Sequence, residues 1–319
     1  MRILFVTSTR IGDAVLSSGL LAHYIATYPR ARITLACGAE AAPLFAAAPN
    51  VERVIALVKR RRAGHWIDLW RACALKLWDL VVDLRASALA YFLLAKRRLV
   101  LSERGEGHRI EGLARLAGLA VPPSPRLWTH PEHEAAALRL VPEGASVLAL
   151  GAGANWPPKR WPVERFAELA LRLTGDHGLL PQARIALLGS CLERGPLALL
   201  IEALPRERCL DLIGKADLLT AYAVLERAAL FVGNDSGLMH LAAAAGCPTL
   251  GLFGPSRDEH YAPWGPRAAV ARTALSYDAL VGGPDYDYRA TRCLMETLSV
   301  DEVDAAATAL YRRCAEAEP

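Results

Sequence analysis

The chain has 319 residues, 53% of them hydrophobic and 22% charged. That is apolar material enough for about two domains with large cores, and it excludes a disordered chain or a disulfide-stapled miniature fold. The net charge of +4 is mild: it permits an anionic ligand and does not argue for nucleic acid.

No apolar run approaches the roughly 18–20 residues of a membrane span. After Met1-Arg2 the apolar stretch Ile3-Leu4-Phe5-Val6 gives way to polar residues too soon for a signal peptide. The seven cysteines are scattered with no C-x-x-C, the pattern of reduced thiols in a cytoplasmic protein and not of a zinc site.

In chain order, Ile3 to Val6 reads as a strand, followed by a helix from about Ala14 to Tyr28. A strand at Arg32–Cys37, a helix at Ala39–Ala48 and a strand at Val51–Ile55 follow; the basic segment Lys59–Trp78 reads as helix and Asp79–Leu84 as a fourth strand. Residues 121–146 carry breaker-rich stretches at 121–125 and 141–144 and read as linker. The pattern then restarts: strands at Ser146–Leu150, Arg184–Leu188, Leu230–Val232 and Thr249–Phe253, with helices at Val163–Leu173, Leu218–Arg227 and Leu238–Ala245. An amphipathic tail runs from Asp301 to Cys314. Strands alternating with helices imply parallel sheets. The expected architecture is therefore α/β: two Rossmann-like domains facing each other, residues 1–140 and 141–300, with a terminal helix at 301–319 packing back on the first domain. Ligands in such sheets bind outside the carboxyl ends of the strands.

Three segments stand at such ends. In Ser8-Thr9-Arg10-Ile11-Gly12-Asp13, Asp13 sits at the opening of the first helix, either as its N-cap or as a carboxylate available to act as a general base. Gly12 would let the backbone approach a ligand. The second segment, Gly151 to Pro162, lacks the glycine that a dinucleotide fingerprint needs at 156, where Trp156 stands. Its adjacent Lys159 and Arg160 are either solvated cations or neutralisers of a pyrophosphate. The third, Asn234-Asp235-Ser236-Gly237-Leu238-Met239-His240, joins a buried strand to an alanine-rich helix, a site for phosphate at a helix N-terminus.

Weaker signals remain. Asp285-Tyr286-Asp287 matches a D-x-D metal motif but lies in a glycine- and proline-rich loop, and reads as loop chemistry. Arg60, Arg61 and Arg62 belong to a basic run that is either a solvated face or an attractor for an anionic membrane or acceptor. Asp211 ends another strand and could take a ribose hydroxyl or nothing.

Taken as an ordered set, Met1-Arg2-Ile3-Leu4 through Gly12-Asp13, Pro158-Lys159-Arg160-Trp161-Pro162, Asn234 through His240 and Leu252-Phe253-Gly254-Pro255-Ser256 resemble the lipopolysaccharide heptosyltransferases, glycosyltransferase family 9, nearly end to end. The resemblance implies a GT-B fold and a metal-independent, inverting transfer of heptose from ADP-heptose to the inner core, the Kdo and heptose on lipid A, with no cofactor. It implies Asp13 as the base, with Arg10 and Gly12 in the loop near the reacting centre. It implies Lys159, with Arg160 beside it, near the donor phosphates, Asp211 before the nucleotide helix, and Asp235, Ser236, Gly237 and His240 around the donor. The partners are then an ADP-sugar and an anionic lipid-linked saccharide, met by a peripheral contact on the cytoplasmic face of the inner membrane. Another GT-B glycosyltransferase, a sugar-nucleotide epimerase and a non-catalytic nucleotide-sugar-binding protein are the alternatives.

Overall fold

Four consecutive apolar residues, Ile3 to Val6, are satisfied only where both faces of a strand are covered. All four are fully buried in β1 (Arg2–Val6), the central strand of the first of two sheets. The computed structural model describes residues 1–60, 63–101, 106–283, 286–287, 289 and 291–317. The chain divides into two units, Met1–His130 and Pro131–Pro319.

In the first unit β1 is followed by α1 (Ile11–Thr27), β2 (Arg32–Gly38), β3 (Val51–Leu57), α2 (Gly64–Cys73), β4 (Trp78–Asp83), β5 (Ala95–Val100) and α3 (Arg109–Ala117). The strands form a parallel sheet in the order β3-β2-β1-β4-β5. α1 is buried along most of its length. At Gly19 an added Cβ would stand 2.2 Å from the carbonyl oxygen of Pro123, so a glycine is what lets residues 123–126 cross the helix. Ser18 Oγ accepts the Arg126 N–H there at 3.0 Å.

The second unit runs α4 (Pro131–Leu140), β6 (Val147–Gly151), α5 (Val163–Thr174), β7 (Arg184–Leu187), α6 (Ala198–Ala203), β8 (Cys209–Asp211), α7 (Leu218–Leu225), β9 (Leu230–Asn234) and α8 (Gly237–Ala244). It continues through β10 (Thr249–Phe253), α9 (Asp258–Tyr261), β11 (Ala268–Arg272), α10 (Tyr277–Val281) and α11 (Val300–Glu316). Its parallel sheet has the order β11-β10-β9-β6-β7-β8.

Several boundaries differ from those expected. The stretch Ala39–Ala48 holds only a 3-10 turn at Ala42–Phe45, because Pro43 has no N–H to give to a helix begun at Ala39 and is accepted only in a first turn. The Lys59–Trp78 helix contracts to α2: Ala63 before it lies in the left-handed region at φ 58°, and Trp78 already belongs to β4. The presumed linker contains α4, which opens on Pro131, a residue suited to a first helical turn, and buries Ala137. The division thus falls after residue 130 and not after 140.

The terminal helix, expected on the first domain, packs instead in the second unit. Val303, Ala307, Leu310 and Cys314 of α11 join the core formed by α5 and the sheet. A reciprocal cap starts it: Ser299 Oγ accepts the Glu302 N–H at 3.2 Å, and the Glu302 carboxylate accepts the Ser299 N–H at 2.8 Å. Ser299→Ala is therefore expected to cost the second unit about 1 kcal/mol. Calorimetry should show its transition lowered by about 2–4 °C, with Ser299→Thr close to the parent.

Candidate functional site

In both sheets the strand order reverses beside the unit's first strand. β1 lies between β2 and β4, and β6 between β7 and β9. Loops leaving such neighbouring strands at their carboxyl ends diverge and leave a crevice for a ligand.

At the β6/β9 reversal the chain is held by one side-chain amide. Asn234, the last residue of β9, is 0% exposed. Its Oδ1 accepts the Trp161 backbone N–H at 3.1 Å, and its Nδ2 donates to the Ala152 carbonyl at 2.7 Å. Trp161 is itself fully buried: its indole N–H donates to the Leu298 carbonyl at 2.9 Å, and its ring meets Phe166 edge-on at 5.0 Å. The loop after β6 is thereby fixed at both ends. At Gly153 an added Cβ would stand 1.9 Å from Glu193 Oε1, so a side chain here would push the Glu193 carboxylate aside.

Two residues before Trp161, Lys159 closes a 3-10 turn at Pro157–Lys159. Its ammonium pairs with the carboxylate of Asp235, the residue after Asn234. The side chains are 20% and 8% exposed, so the pair is largely withdrawn from water. Arg160 does not join it; its Nε donates to the Ala154 carbonyl at 2.8 Å and shapes the loop. The expected doublet of cations is thus one paired ammonium and one loop brace.

α8 starts beside this pair. Ser236 occupies its N-cap position with an extended backbone, yet makes no capping bond. Its Oγ is buried without a partner among the described residues, and so is the Oγ of Ser256, in the loop after the neighbouring strand β10. Buried hydroxyls left without protein partners are unusual. Together with the N–H groups of the first turn of α8 from Gly237 onward, they make an edge suited to an anionic, hydroxyl-rich ligand. His240 lies one turn into the helix and is buried. The structure thus brings Lys159, Asp235, Ser236 and Gly237 together and adds Asn234 and Ser256, which sequence reasoning quoted within motifs but did not single out.

Asp211 ends β8 at the margin of the sheet, with β7 and β6 between it and β9. Its carboxylate pairs with Arg194 at 2.9 Å and Lys215 at 3.2 Å and accepts the Ile213 N–H at 3.2 Å. Burial opposes its ionisation, but the Arg194 and Ile213 donors and Lys215 outweigh that and hold the carboxyl below its usual range. The described hydrogen bonds do not link it to the Asp235 cluster.

In the first unit α1 begins at Ile11, with Arg10 as its N-cap and no side-chain capping bond. Asp13 is therefore a first-turn residue and not the cap, and its charge faces the positive end of the helix. Ser8 Oγ donates to Asp13 Oδ2 at 3.3 Å and accepts the Arg10 N–H at 3.4 Å, folding the loop over the helix start with Gly12 in it. Across the β1/β4 reversal, Arg85 reaches Thr9 Oγ1 at 3.3 Å and stands 5.9 Å from the Trp66 ring centroid. Asp83, fully buried at the end of β4, shapes that loop by accepting the N–H groups of Arg85 at 2.9 Å and Ser87 at 3.0 Å and the Ser87 hydroxyl. Burial pushes the Asp83 carboxyl up, against the pull of these donors. Arg85 and Asp83 were missed in the sequence; their only signal was a strand ending at the carboxyl edge.

Arg60 is exposed and pairs with Asp68 at 2.8 Å; Arg61 and Arg62 lie outside the described residues, as does Asp285 of the D-x-D. Asp287 accepts the Arg289 N–H at 2.9 Å, an arrangement of a loop turn.

Residues 84–280 match the family model described as glycosyltransferase family 9 (heptosyltransferase). The lipopolysaccharide heptosyltransferase 2 of Salmonella typhimurium is 26% identical over 318 residues, covering 87% of this chain and 89% of its own. Among solved structures, a glycosyl transferase family 9 protein from Veillonella parvula superposes with a TM-score of 0.79 at 21% identity, covering 98% of this chain and 97% of that one. The E. coli ADP-heptose lipopolysaccharide heptosyltransferase II superposes with a TM-score of 0.75 at 23% identity, covering 99% and 100%. The two structural likenesses carry the GT-B fold that the motifs led one to expect.

Removing one member of the Lys159–Asp235 pair strands the other charge in a dry place. Lys159→Ala is expected to cost about 1–3 kcal/mol, between the values for exposed and fully buried pairs. Adding Asp235→Asn should recover about 1 kcal/mol or more of that loss. Urea unfolding of the single and double variants measures the coupling.

Proposed function

The chain belongs to glycosyltransferase family 9, the heptosyltransferases, and as such is an enzyme of heptose transfer; we propose that it carries heptose from ADP-heptose to the lipopolysaccharide inner core with inversion and without a metal. The observation that carries the donor half is the Lys159–Asp235 pair beside the N-terminus of α8, where Ser236 and Ser256 leave buried hydroxyls unpaired. The names of the relatives, an ADP-heptose heptosyltransferase among them, support the same donor.

The step is a single displacement. Asp13 takes the proton of an acceptor hydroxyl as its oxygen forms a bond to the anomeric carbon, and the bond from that carbon to the ADP oxygen breaks. Negative charge collects on the departing diphosphate. Lys159, already oriented by Asp235, and the N–H groups at Ser236 and Gly237 meet that charge without first reorganising. His240 borders the donor from the same helix. Arg10 and Gly12 shape the loop at the reacting centre. Asp211, occupied by Arg194 and Lys215, is left out of the donor contacts.

The acceptor is anionic and lipid-linked, and the enzyme works in the cytoplasm with a peripheral contact on the inner membrane. No described helix is long and apolar enough to cross a membrane. Arg60 follows β3 at the carboxyl edge of the first sheet, the edge that also holds Asp13; the basic run that it opens in the sequence draws in the acceptor's charge.

Incubation with ADP-heptose and a heptose-deficient core should add one heptose by mass and release ADP. Turnover of another nucleotide sugar in its place overturns the reading. EDTA should leave the rate unchanged; loss of transfer restored by magnesium or manganese would show a metal-dependent leaving group. Asp13→Asn keeps the fold, losing at most about 1 kcal/mol of helix-dipole energy. Its kcat should fall by about 10²–10⁴, with ADP affinity unchanged by calorimetric titration. Reversing the charge at Arg60, Arg61 and Arg62 should raise the acceptor KM without touching ADP affinity, an effect that shrinks with salt.

A further inference from the structure

A helix packed on one side of a sheet needs one apolar face, yet α2 and its neighbours carry two. The inner face buries Leu69, Cys73, Trp78, Leu89, Ala90 and Leu93. The outer surface nonetheless shows large apolar side chains to water: Leu75 is 98% exposed, Phe92 72%, Tyr91 68% and Leu94 64%, with Ile67, Trp70 and Leu77 about half exposed. We propose that this surface, formed by the outer side of α2, residues 74–77 and residues 91–94, docks on an anionic lipid bilayer. It gives a location to the peripheral contact proposed above, and to that extent rests on that reading.

The side chains come from separate segments that hydrogen bonds hold together. The Trp70 indole N–H donates to the Phe92 carbonyl at 3.0 Å, and the Trp78 backbone N–H donates to the Leu94 carbonyl at 2.9 Å. The Trp78 indole N–H donates to the Cys73 carbonyl at 3.1 Å, closing the turn that carries Leu75 and Leu77. Arg98 braces the third segment, donating to the Ala90 carbonyl at 2.8 Å and the Leu93 carbonyl at 2.6 Å. Leu77 and Leu94 directly precede β4 and β5, so the surface reaches the amino edge of the sheet, opposite the edge that holds Asp13.

Charge selects the occupant. Residues 64–78 and 91–98, which carry the surface, contain five lysines and arginines against one aspartate, Asp68. Asp68 pairs with Arg60, Asp79 with Lys96, and Asp83 is buried. Arg71 and Arg97 are exposed beside the apolar residues. Tryptophan and tyrosine at the level of the headgroups, aliphatic side chains beneath them and a cationic rim form the pattern of a protein that rests on anionic lipid. A second copy of the chain would set the same excess of cations against itself across a two-fold axis.

The test is flotation of the full-length protein with vesicles of phosphatidylcholine alone, or with about a third phosphatidylglycerol, in the absence of donor and acceptor. The protein should float with the anionic vesicles and stay in solution with the neutral ones. The variant Leu75→Ser/Phe92→Ser/Leu94→Ser should reduce the bound fraction roughly tenfold or more, since it withdraws three apolar side chains from the interface. Its melting temperature and its transfer to a delipidated acceptor should stay at the parent's values. Equal flotation of parent and variant, or a parent that ignores anionic vesicles, overturns the proposal. So does a concentration-dependent dimer that the variant abolishes, which would give the surface to a second copy. A protein that floats without transferring heptose keeps this inference and loses the function proposed above; one that transfers heptose and never floats does the reverse.

Discussion

The second unit depends on a single buried amide. Asn234 has no contact with water, and both ends of its side chain are committed, one to the Trp161 N–H and the other to the Ala152 carbonyl. An aspartate of the same shape could accept from Trp161 but would set a charged oxygen against the Ala152 carbonyl; a leucine would leave both backbone groups orphaned. The loop after β6 has no regular structure beyond one short turn, so its course is set by this amide and by the Trp161 indole anchored at Leu298. Lys159 reaches Asp235 because the residues two positions after the one and just before the other are already joined.

The two sheet edges are built on different electrostatic lines. At the edge of the second, an ammonium is matched by a carboxylate, and the remaining donors are hydroxyls and helix N–H groups. Little net charge is buried there, which spares the fold the cost of desolvating a lone cation. At the edge of the first, Asp13 lies at the positive end of α1 with one hydroxyl donor from Ser8, while Asp83 is sealed beneath its own loop by three donors. Of the two carboxylates, Asp13 is in reach of solvent and Asp83 organises the backbone that presents Arg85.

The parts legible in the sequence were those whose environment is uniform. β1, β9 and β10 are continuous apolar runs because both faces are covered, and their shortness and flanking turn residues favour a strand over a helix. β5 was not legible, because a margin strand can carry Lys96, Arg97 and Arg98 on surfaces that a central strand must keep apolar. Nothing in an alanine announces the left-handed φ of Ala63 that separates α2 from the basic run before it. The start of α1 was misplaced by three residues, since apolar periodicity begins at Ala14 while the backbone turns helical at Ile11. That shift moves Asp13 from a cap into the first turn. The motif around Asp235 was visible as a strand-to-helix junction; its pairing with a lysine 76 residues earlier was not, being a product of strand order. The same strand order sets Asp211 at the margin, which its strand-end position could not reveal.

The Trp161–Leu298 bond bears on how the protein comes into being. It joins positions 137 residues apart, and the loop carrying Lys159 is anchored through it. On a ribosome, the Rossmann-like core from β6 to β10 can begin to assemble while later codons are still unread, but the residue that holds Trp161 from behind follows it by 137 residues. A nascent chain, or one cut short before Leu298, would thus possess most of a nucleotide-binding scaffold without a settled lysine to go with it. The loop that carries Lys159 is then settled in one step, when Leu298 is in place, and not by degrees.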